Sequence, residues 1–267
     1  MAEPSPTPDP PAGWFDPPAA LELRGADVHV WRLKIQTAPP EAWSLLSLEE
    51  RAAAERFKFE RDRQRFISCR AQLRRILSRY VGQPPEALAI ARGEFGKPYL
   101  SARSKPSSIR FNMSHSAGVA LVAVANDREV GVDVESLDTD LDPQDLAARF
   151  FTPGEQSFVR QHPEAEQNAA FLACWTRKEA WMKAVGVGFR EPLERFDVSA
   201  ALGGGFSTLK RTAGDGLDWT VLPLTGVPGA IAALAVEGTE IRLHFWQIPF
   251  LDTRIARSYF RIFRFRA

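Results

Sequence analysis

The stretch Val130-Gly131-Val132-Asp133-Val134-Glu135 alternates valine with small or acidic residues, and further along Trp175-Thr176-Arg177-Lys178-Glu179-Ala180-Trp181-Met182-Lys183 changes to a helical period. Successive side chains of a strand point to opposite faces. The first stretch therefore buries Val130, Val132 and Val134 and presents Asp133 and Glu135 together on the other side. In the second, Phe171, Cys174, Trp181, Met182 and Val185 recur at helical spacing, while Trp175, Glu179 and Lys183 succeed one another at i, i+4 on an adjoining face. Three carboxylates and a lysine are thus held in two rigid local frames. Hard oxygen donors without a convergent His or Cys suit Mg²⁺, with Mn²⁺ as the alternative. Mg²⁺ takes one or two carboxylates and fills its octahedron with water and substrate phosphate. The pattern points to a metal-bound pyrophosphate. Taken singly, the motifs also read as an ordinary ion pair on a helix and the solvated face of an edge strand.

Working outward, Val28 to Leu33 alternates as a strand, and the capping box Ser47-Leu48-Glu49-Glu50 opens a helical region. That region runs to Tyr80 with a break near Phe59 to Asp62, and Gly82 and Pro84 stop it. Leu88-Ala89-Ile90, Ile109 to Met113, Val119 to Ala125 and Arg128 to Val134 read as strands, the last two joined by an Asn126-Asp127 turn. The order then repeats. Leu146 to Phe151, Thr152 to Arg160 and Ala169 to Val185 read as helices; Phe196-Asp197-Val198, Trp219 to Leu222 and Ile231 to Val236 read as strands. Helices followed by strands, twice, argue for an α+β protein with antiparallel sheets, not a doubly wound one. Gly203-Gly204-Gly205 reads as a loop, since no helix start follows it.

At 267 residues, with 45% hydrophobic residues and a net charge of +1, the chain is read as a soluble globular protein of one large or two smaller domains. Near-neutrality argues against a nucleic-acid partner, and the lack of a long apolar run or an apolar leader argues for a cytoplasmic protein. Cys69 and Cys174 sit in amphipathic helical segments and read as buried thiols. Residues 1–20, rich in Pro, are expected to form a flexible tail, with one half at 21–126, a second at 127–240, and a basic, aromatic extension at 241–267.

Four ordered blocks, Phe95-Gly96-Lys97-Pro98, Phe111-Asn112-Met113-Ser114-His115-Ser116, Gly131 to Glu135, and Trp175 to Lys183 with Gly186-Val187-Gly188-Phe189 after it, resemble those of the 4′-phosphopantetheinyl transferases. The likeness is to the larger, surfactin-synthetase-activating type, and it spans roughly residues 45–240. It implies a pseudo-dimer of two similar α+β halves with coenzyme A and Mg²⁺ in the cleft between them. It also implies transfer of 4′-phosphopantetheine to a serine of an acyl, peptidyl or aryl carrier protein, with release of adenosine 3′,5′-bisphosphate. By position, Asp133, Glu135 and Glu179 would hold the metal and Lys183 would neutralise phosphate. Ser114, His115, Lys97, Pro98, Arg61 and Arg65 would bind coenzyme A. The serine's proton acceptor stays open among Glu179, Glu155 and a metal-polarised water.

Glu155 has a competing reading, because Thr152-Pro153-Gly154-Glu155 is also a capping box with Pro at the first helical position. Arg61 and Arg65, one turn apart, equally suit a solvated helix face, Lys97 a solvated turn, and His115 a satisfied core histidine. The C-terminal segment Arg254 to Arg266 lies outside the resemblance. It reads as an edge segment packing its aromatics, or as a dock for an acidic carrier helix. A noncatalytic coenzyme A or carrier-binding module is the rival function, disfavoured by the complete acid and lysine set. A nucleotide phosphotransferase is disfavoured by the absence of a Walker loop. One chain supplying both halves implies a monomer.

Overall fold

The valine and acid alternation forms a strand in the computed structural model, which describes residues 13–101, 108–116, 118–186, 192–202, 207–210 and 218–248. The expectations for Gly203-Gly204-Gly205 and for Arg254 to Arg266 fall outside those residues. In chain order the elements are β1 (Asp27–Lys34), α1 (Leu48–Glu55), α2 (Glu60–Val81), β2 (Ile90–Arg92), β3 (Pro98–Leu100), β4 (Ile109–Ser116), β5 (Val119–Asn126) and β6 (Val130–Ser136). They continue with α3 (Pro143–Phe150), α4 (Pro153–Gln161), α5 (Glu164–Val185), β7 (Ser207–Lys210), β8 (Asp218–Leu224), β9 (Ala230–Glu237) and β10 (Arg242–Gln247).

Two four-stranded sheets, ordered β10-β1-β5-β4 and β6-β9-β8-β7, are each backed by a 22-residue helix, α2 and α5. Both helices end on a glycine in the left-handed region, Gly82 at φ 66 and Gly186 at φ 77, where a side chain would be strained. Leu73, Ile76 and Leu77 of α2 pack on Trp31, Leu33, Phe111 and Val122, the outer face of the first sheet. Ala180, Trp181 and Ala184 of α5 pack on Val221, Ala233 and Ala235, the outer face of the second. The inner faces meet in a core that joins Val28, Val30 and Leu121 to Val130, Val132, Val134 and Leu234. Helix, sheet, sheet and helix thus stack as two similar α+β halves, with the β6 valines turned toward the partner sheet and its acids toward α5.

The Asn126-Asp127 turn forms as read, with Asp127 at φ 53: β5 pairs with β1 and β4, and β6 with β9, so the turn carries the chain from one sheet to the other. Three features depart from the sequence reading. Arg242–Gln247 returns to the first half and pairs in parallel with β1, which covers what would otherwise be an open edge. Residues 13–20, read by composition as part of a flexible tail, are partly packed. The Trp14 ring lies 5.2 Å from that of Phe245 and its Nε1 donates to the Thr225 carbonyl, while Phe15 exchanges backbone hydrogen bonds with Phe245 and Gln247. Finally, Phe196-Asp197-Val198 is no strand. The Leu193 and Phe196 carbonyls accept from Lys178 Nζ, and the Val198 amide donates to Glu155, so side chains replace a ladder there.

Candidate active site

Gly131 decides how close α5 lies to β6. A Cβ at this position would stand 2.0 Å from the Ala180 carbonyl oxygen and 2.4 Å from the Ala184 amide nitrogen, so only a bare backbone admits the helix. Glu179 and Lys183 immediately precede those two alanines, and Asp133 follows Gly131 on the same face of the strand. The close approach therefore brings the two motifs together. Lys183 Nζ donates to Asp133 Oδ1 at 2.5 Å and to Ser114 Oγ at 3.2 Å, and Ser114 Oγ donates to Asp133 Oδ1 at 2.8 Å.

Asp133 is 1% exposed and Glu179 8%. Asp133 Oδ2 and Glu179 Oε1 are buried without a hydrogen-bond partner. Burial, with the charges of Asp133 and Glu135 adding and Lys183 opposing, pushes the Glu179 carboxyl up to about 7. Glu135 is raised by burial and then by Asp133, while Ser116 and Lys183 offset part of this. The three acids therefore stand within electrostatic reach of one another. Among the described residues no three such donors are drawn tightly enough to enclose an ion, and Lys183 supplies the nearby counter-charge.

The first half contributes β4. Its Asn112, Ser114 and Ser116 share one face and meet β6, while Phe111 and Met113 pack toward α2 and His115 alternates with the serines. His115 is exposed, yet partial loss of solvent, then Lys183, then Arg65 lower its pKa, which brings Arg65 into the same neighbourhood. Arg65 and Arg61 both pair with Asp62, at 3.7 and 3.3 Å, and no contact joins Arg61 to the acids among the described residues.

Lys97 is tied in. Its Nζ donates to Glu129 Oε2 and the Ala184 carbonyl, both at 2.5 Å, and burial pulls its pKa down against the pull of Glu129. Lys97 and Pro98 line a cavity of about 470 Å³ with Phe95, Tyr99, Arg110 and Val185.

Glu155 is placed apart from the acids. It is fully buried; Oε2 accepts from the Thr152 amide at 2.9 Å and lies 2.8 Å from Lys178 Nζ, and Oε1 accepts from the Val198 amide at 2.8 Å. Both oxygens serve the α4 capping box and the loop behind α5, so the capping reading has the geometry and a direct part in catalysis does not. Ser114 belongs to the candidate set drawn from the sequence, and Ser116 and Asn112 do not. Polar side chains at alternate positions of a strand otherwise buried would have marked them.

Residues 36–127 match the family described as 4′-phosphopantetheinyl transferase, N-terminal, and residues 129–235 match the 4′-phosphopantetheinyl transferase superfamily. The 4′-phosphopantetheinyl transferase HetI of Nostoc sp. is 36% identical over 236 residues, covering 87% of this chain and 97% of the relative. The chain belongs to the 4′-phosphopantetheinyl transferase superfamily. Within it, psf-1 of Bacillus pumilus is 34% identical over 179 residues, 66% of this chain and 72% of the relative. Sfp of Bacillus subtilis is 29% identical over 155 residues, 58% and 66% respectively. The two matched regions abut at the turn between β5 and β6, where the chain passes from one sheet to the other.

Proposed function

We propose that this chain transfers the 4′-phosphopantetheine arm of coenzyme A to a serine hydroxyl of an acyl, peptidyl or aryl carrier protein, with release of adenosine 3′,5′-bisphosphate. One observation carries the chemistry: Asp133 and Glu179 each keep a buried carboxylate oxygen without a partner, beside Lys183, at the seam between the halves. Orphaned, hard oxygen acceptors fit a divalent cation, Mg²⁺ or Mn²⁺, held by Asp133, Glu135 and Glu179. When bound, such a cation neutralises the pyrophosphate and polarises the phosphorus under attack.

The chain's own groups do the rest. The serine oxygen forms a bond to the pantetheine-side phosphorus, and the bond from that phosphorus to the bridging oxygen breaks. The departing bisphosphate keeps the electron pair. Lys183, 30% exposed on a flexible stem, reaches phosphate oxygens from its seat on Asp133. The serine proton passes to the carboxylate oxygen of Glu179 that does not face the cation. His115, Arg65 and Arg61 take phosphate oxygens of coenzyme A, Ser114 stands beside them with its proton given to Asp133, and the cavity at Lys97 and Pro98 takes the adenine end. In this reading the protein works as a cytoplasmic monomer and needs neither nucleic acid nor membrane; no helix among the described residues is long and apolar enough to cross one.

The test is intact-mass spectrometry of apo carrier proteins of two types incubated with the protein, coenzyme A and Mg²⁺. A gain of one phosphopantetheine mass, lost with EDTA and lost in folded Asp133→Asn and Glu179→Gln, is expected. Transfer at wild-type rate by either variant refutes the assignment of the acids.

A further inference from the structure

β4 and β6 are edge strands of different sheets that run side by side, so no main-chain ladder joins them. Side chains from one face of β4 make the junction. Asn112 Oδ1 accepts from the Val132 amide at 3.0 Å, Ser114 Oγ donates to Asp133 Oδ1 at 2.8 Å, and Ser116 Oγ accepts from the Ser136 amide at 3.1 Å. Ser116 Oγ also donates to Glu135 Oε2 at 3.3 Å. A hydroxyl has one proton and two lone pairs. Because the Ser136 N–H occupies a lone pair, the Ser116 proton is turned toward Glu135.

We infer that Ser116 is a positioning residue for Glu135, fixing one carboxylate oxygen so that the other is offered to the metal site. This rests on the reading of Asp133, Glu135 and Glu179 as metal ligands. The neighbouring pair supplies the precedent within the same molecule: Ser114 ties Asp133 Oδ1, and Asp133 Oδ2 is left buried and unpartnered. Two residues along both strands, the same arrangement repeats with Ser116 and Glu135, this time with a backbone amide locking the serine. Glu135 is the acid that needs it most, since it is only half-buried and Lys183 bonds Asp133 instead. Groups that orient a metal ligand typically contribute about 10–100-fold to metal affinity or activity.

The experiment compares wild type, Ser116→Ala, Ser116→Thr and Ser108→Ala. Ser108 bonds Asn126 at the far end of β4 and controls for loss of a hydroxyl there. Carrier modification is measured against Mg²⁺ concentration at saturating coenzyme A, and Mn²⁺ binding is followed by the electron paramagnetic resonance of free Mn²⁺. Thermal unfolding is recorded without metal. Expected is about a tenfold rise in metal half-saturation for Ser116→Ala in both readouts, with the KM for coenzyme A little changed and the unfolding temperature lowered by a few degrees because the Ser136 amide loses its acceptor. Ser116→Thr restores wild-type behaviour, and Ser108→Ala titrates as wild type. Unshifted half-saturation in Ser116→Ala overturns the inference, as does a shift that Ser108→Ala reproduces. A wild-type protein that modifies no carrier overturns the proposed function itself.

Discussion

Adding a single methyl group at Gly131 tests whether the contact between β6 and α5 builds the site. The new Cβ would begin 2.0 Å from the Ala180 carbonyl oxygen and 2.4 Å from the Ala184 nitrogen, and ordinary contact begins at 3.4 Å. Both neighbours are backbone, so no rotamer change relieves the clash and the helix must retreat by about 1.4 Å, the difference between 3.4 and 2.0 Å. Overpacking of this kind costs about 1–3 kcal/mol, which lowers the unfolding temperature by roughly 2–12 °C for a chain of this size. The catalytic consequence is larger. Glu179 and Lys183 move with Ala180 and Ala184, stretching the 2.5 Å contact of Lys183 with Asp133. A displacement near 1 Å at a reacting centre costs on the order of 100-fold in rate. Gly131→Ala should therefore remain folded by circular dichroism, melt several degrees lower, and transfer phosphopantetheine about 100-fold more slowly at saturating coenzyme A. Wild-type turnover with an unchanged melting temperature would refute the reasoning, because it would mean that the helix does not depend on the bare strand for its position.

Lys178→Met removes the cation beside Glu155 and the donor to the Leu193 and Phe196 carbonyls, leaving a buried carboxylate without its partner. A loss of about 3–5 kcal/mol in calorimetric stability is expected, partly recovered by adding Glu155→Gln; a loss below about 1 kcal/mol contradicts the pairing. His29 is pushed down to about 4 by burial and the nearby His244, against the pull of Asp27, so it is neutral in the fold and protonates near its ordinary value of 6.5 when unfolded. Its contribution is fully present above pH 6.5 and drains as pH falls toward 4. Unfolding followed from pH 7 to 4.5 should decline more steeply in wild type than in His29→Asn, whose amide can replace the Nδ1 bond to Tyr80, and parallel curves would contradict this. Trp14→Ala removes the edge-on contact with Phe245 and the bond to Thr225, with an expected cost of roughly 2 kcal/mol; an unchanged melting temperature would show that the N-terminal contact stabilises nothing.

What the sequence disclosed was what local periodicity can carry. The alternation in β6 and the i, i+4 series in α5 specify which side chains share a face whatever surrounds them. The Ser47 capping box is likewise a signal within four residues, and it forms as read. Pairing partners are not local. Nothing in Val130 to Ser136 says that its ladder is with Ala230 to Glu237 and not with the strand just before it, because an edge strand at a sheet junction has the same period as one in a hairpin. The parallel return of Arg242 to Gln247 was hidden for the same reason. Trp14 was obscured by its prolines, which signal low helix and sheet content but do not prevent an extended segment from seating one aromatic ring. Glu155 was legible in both of its readings, and only the positions of Lys178 and Val198 separate them.

The location of the acids at the seam has an energetic logic. Three carboxylates face a single lysine in a region withdrawn from solvent, an arrangement that destabilises the folded state, as the raised pKa values of Glu179 and Glu135 register. A fold could avoid this by spacing the acids or exposing them. Here the same β4 serines that bond the acids also help join the two sheets, so separating the carboxylates would mean opening the junction. The strain is therefore held in place by structure that the protein needs anyway. Any ligand that brings positive charge to Asp133 and Glu179 relieves it, and by linkage a ligand at 100 times its dissociation constant adds about 2.7 kcal/mol to folded stability. Packing between the halves thus fixes the acids where repulsion among them favours a cation, and a bound cation in turn strengthens the fold that holds them.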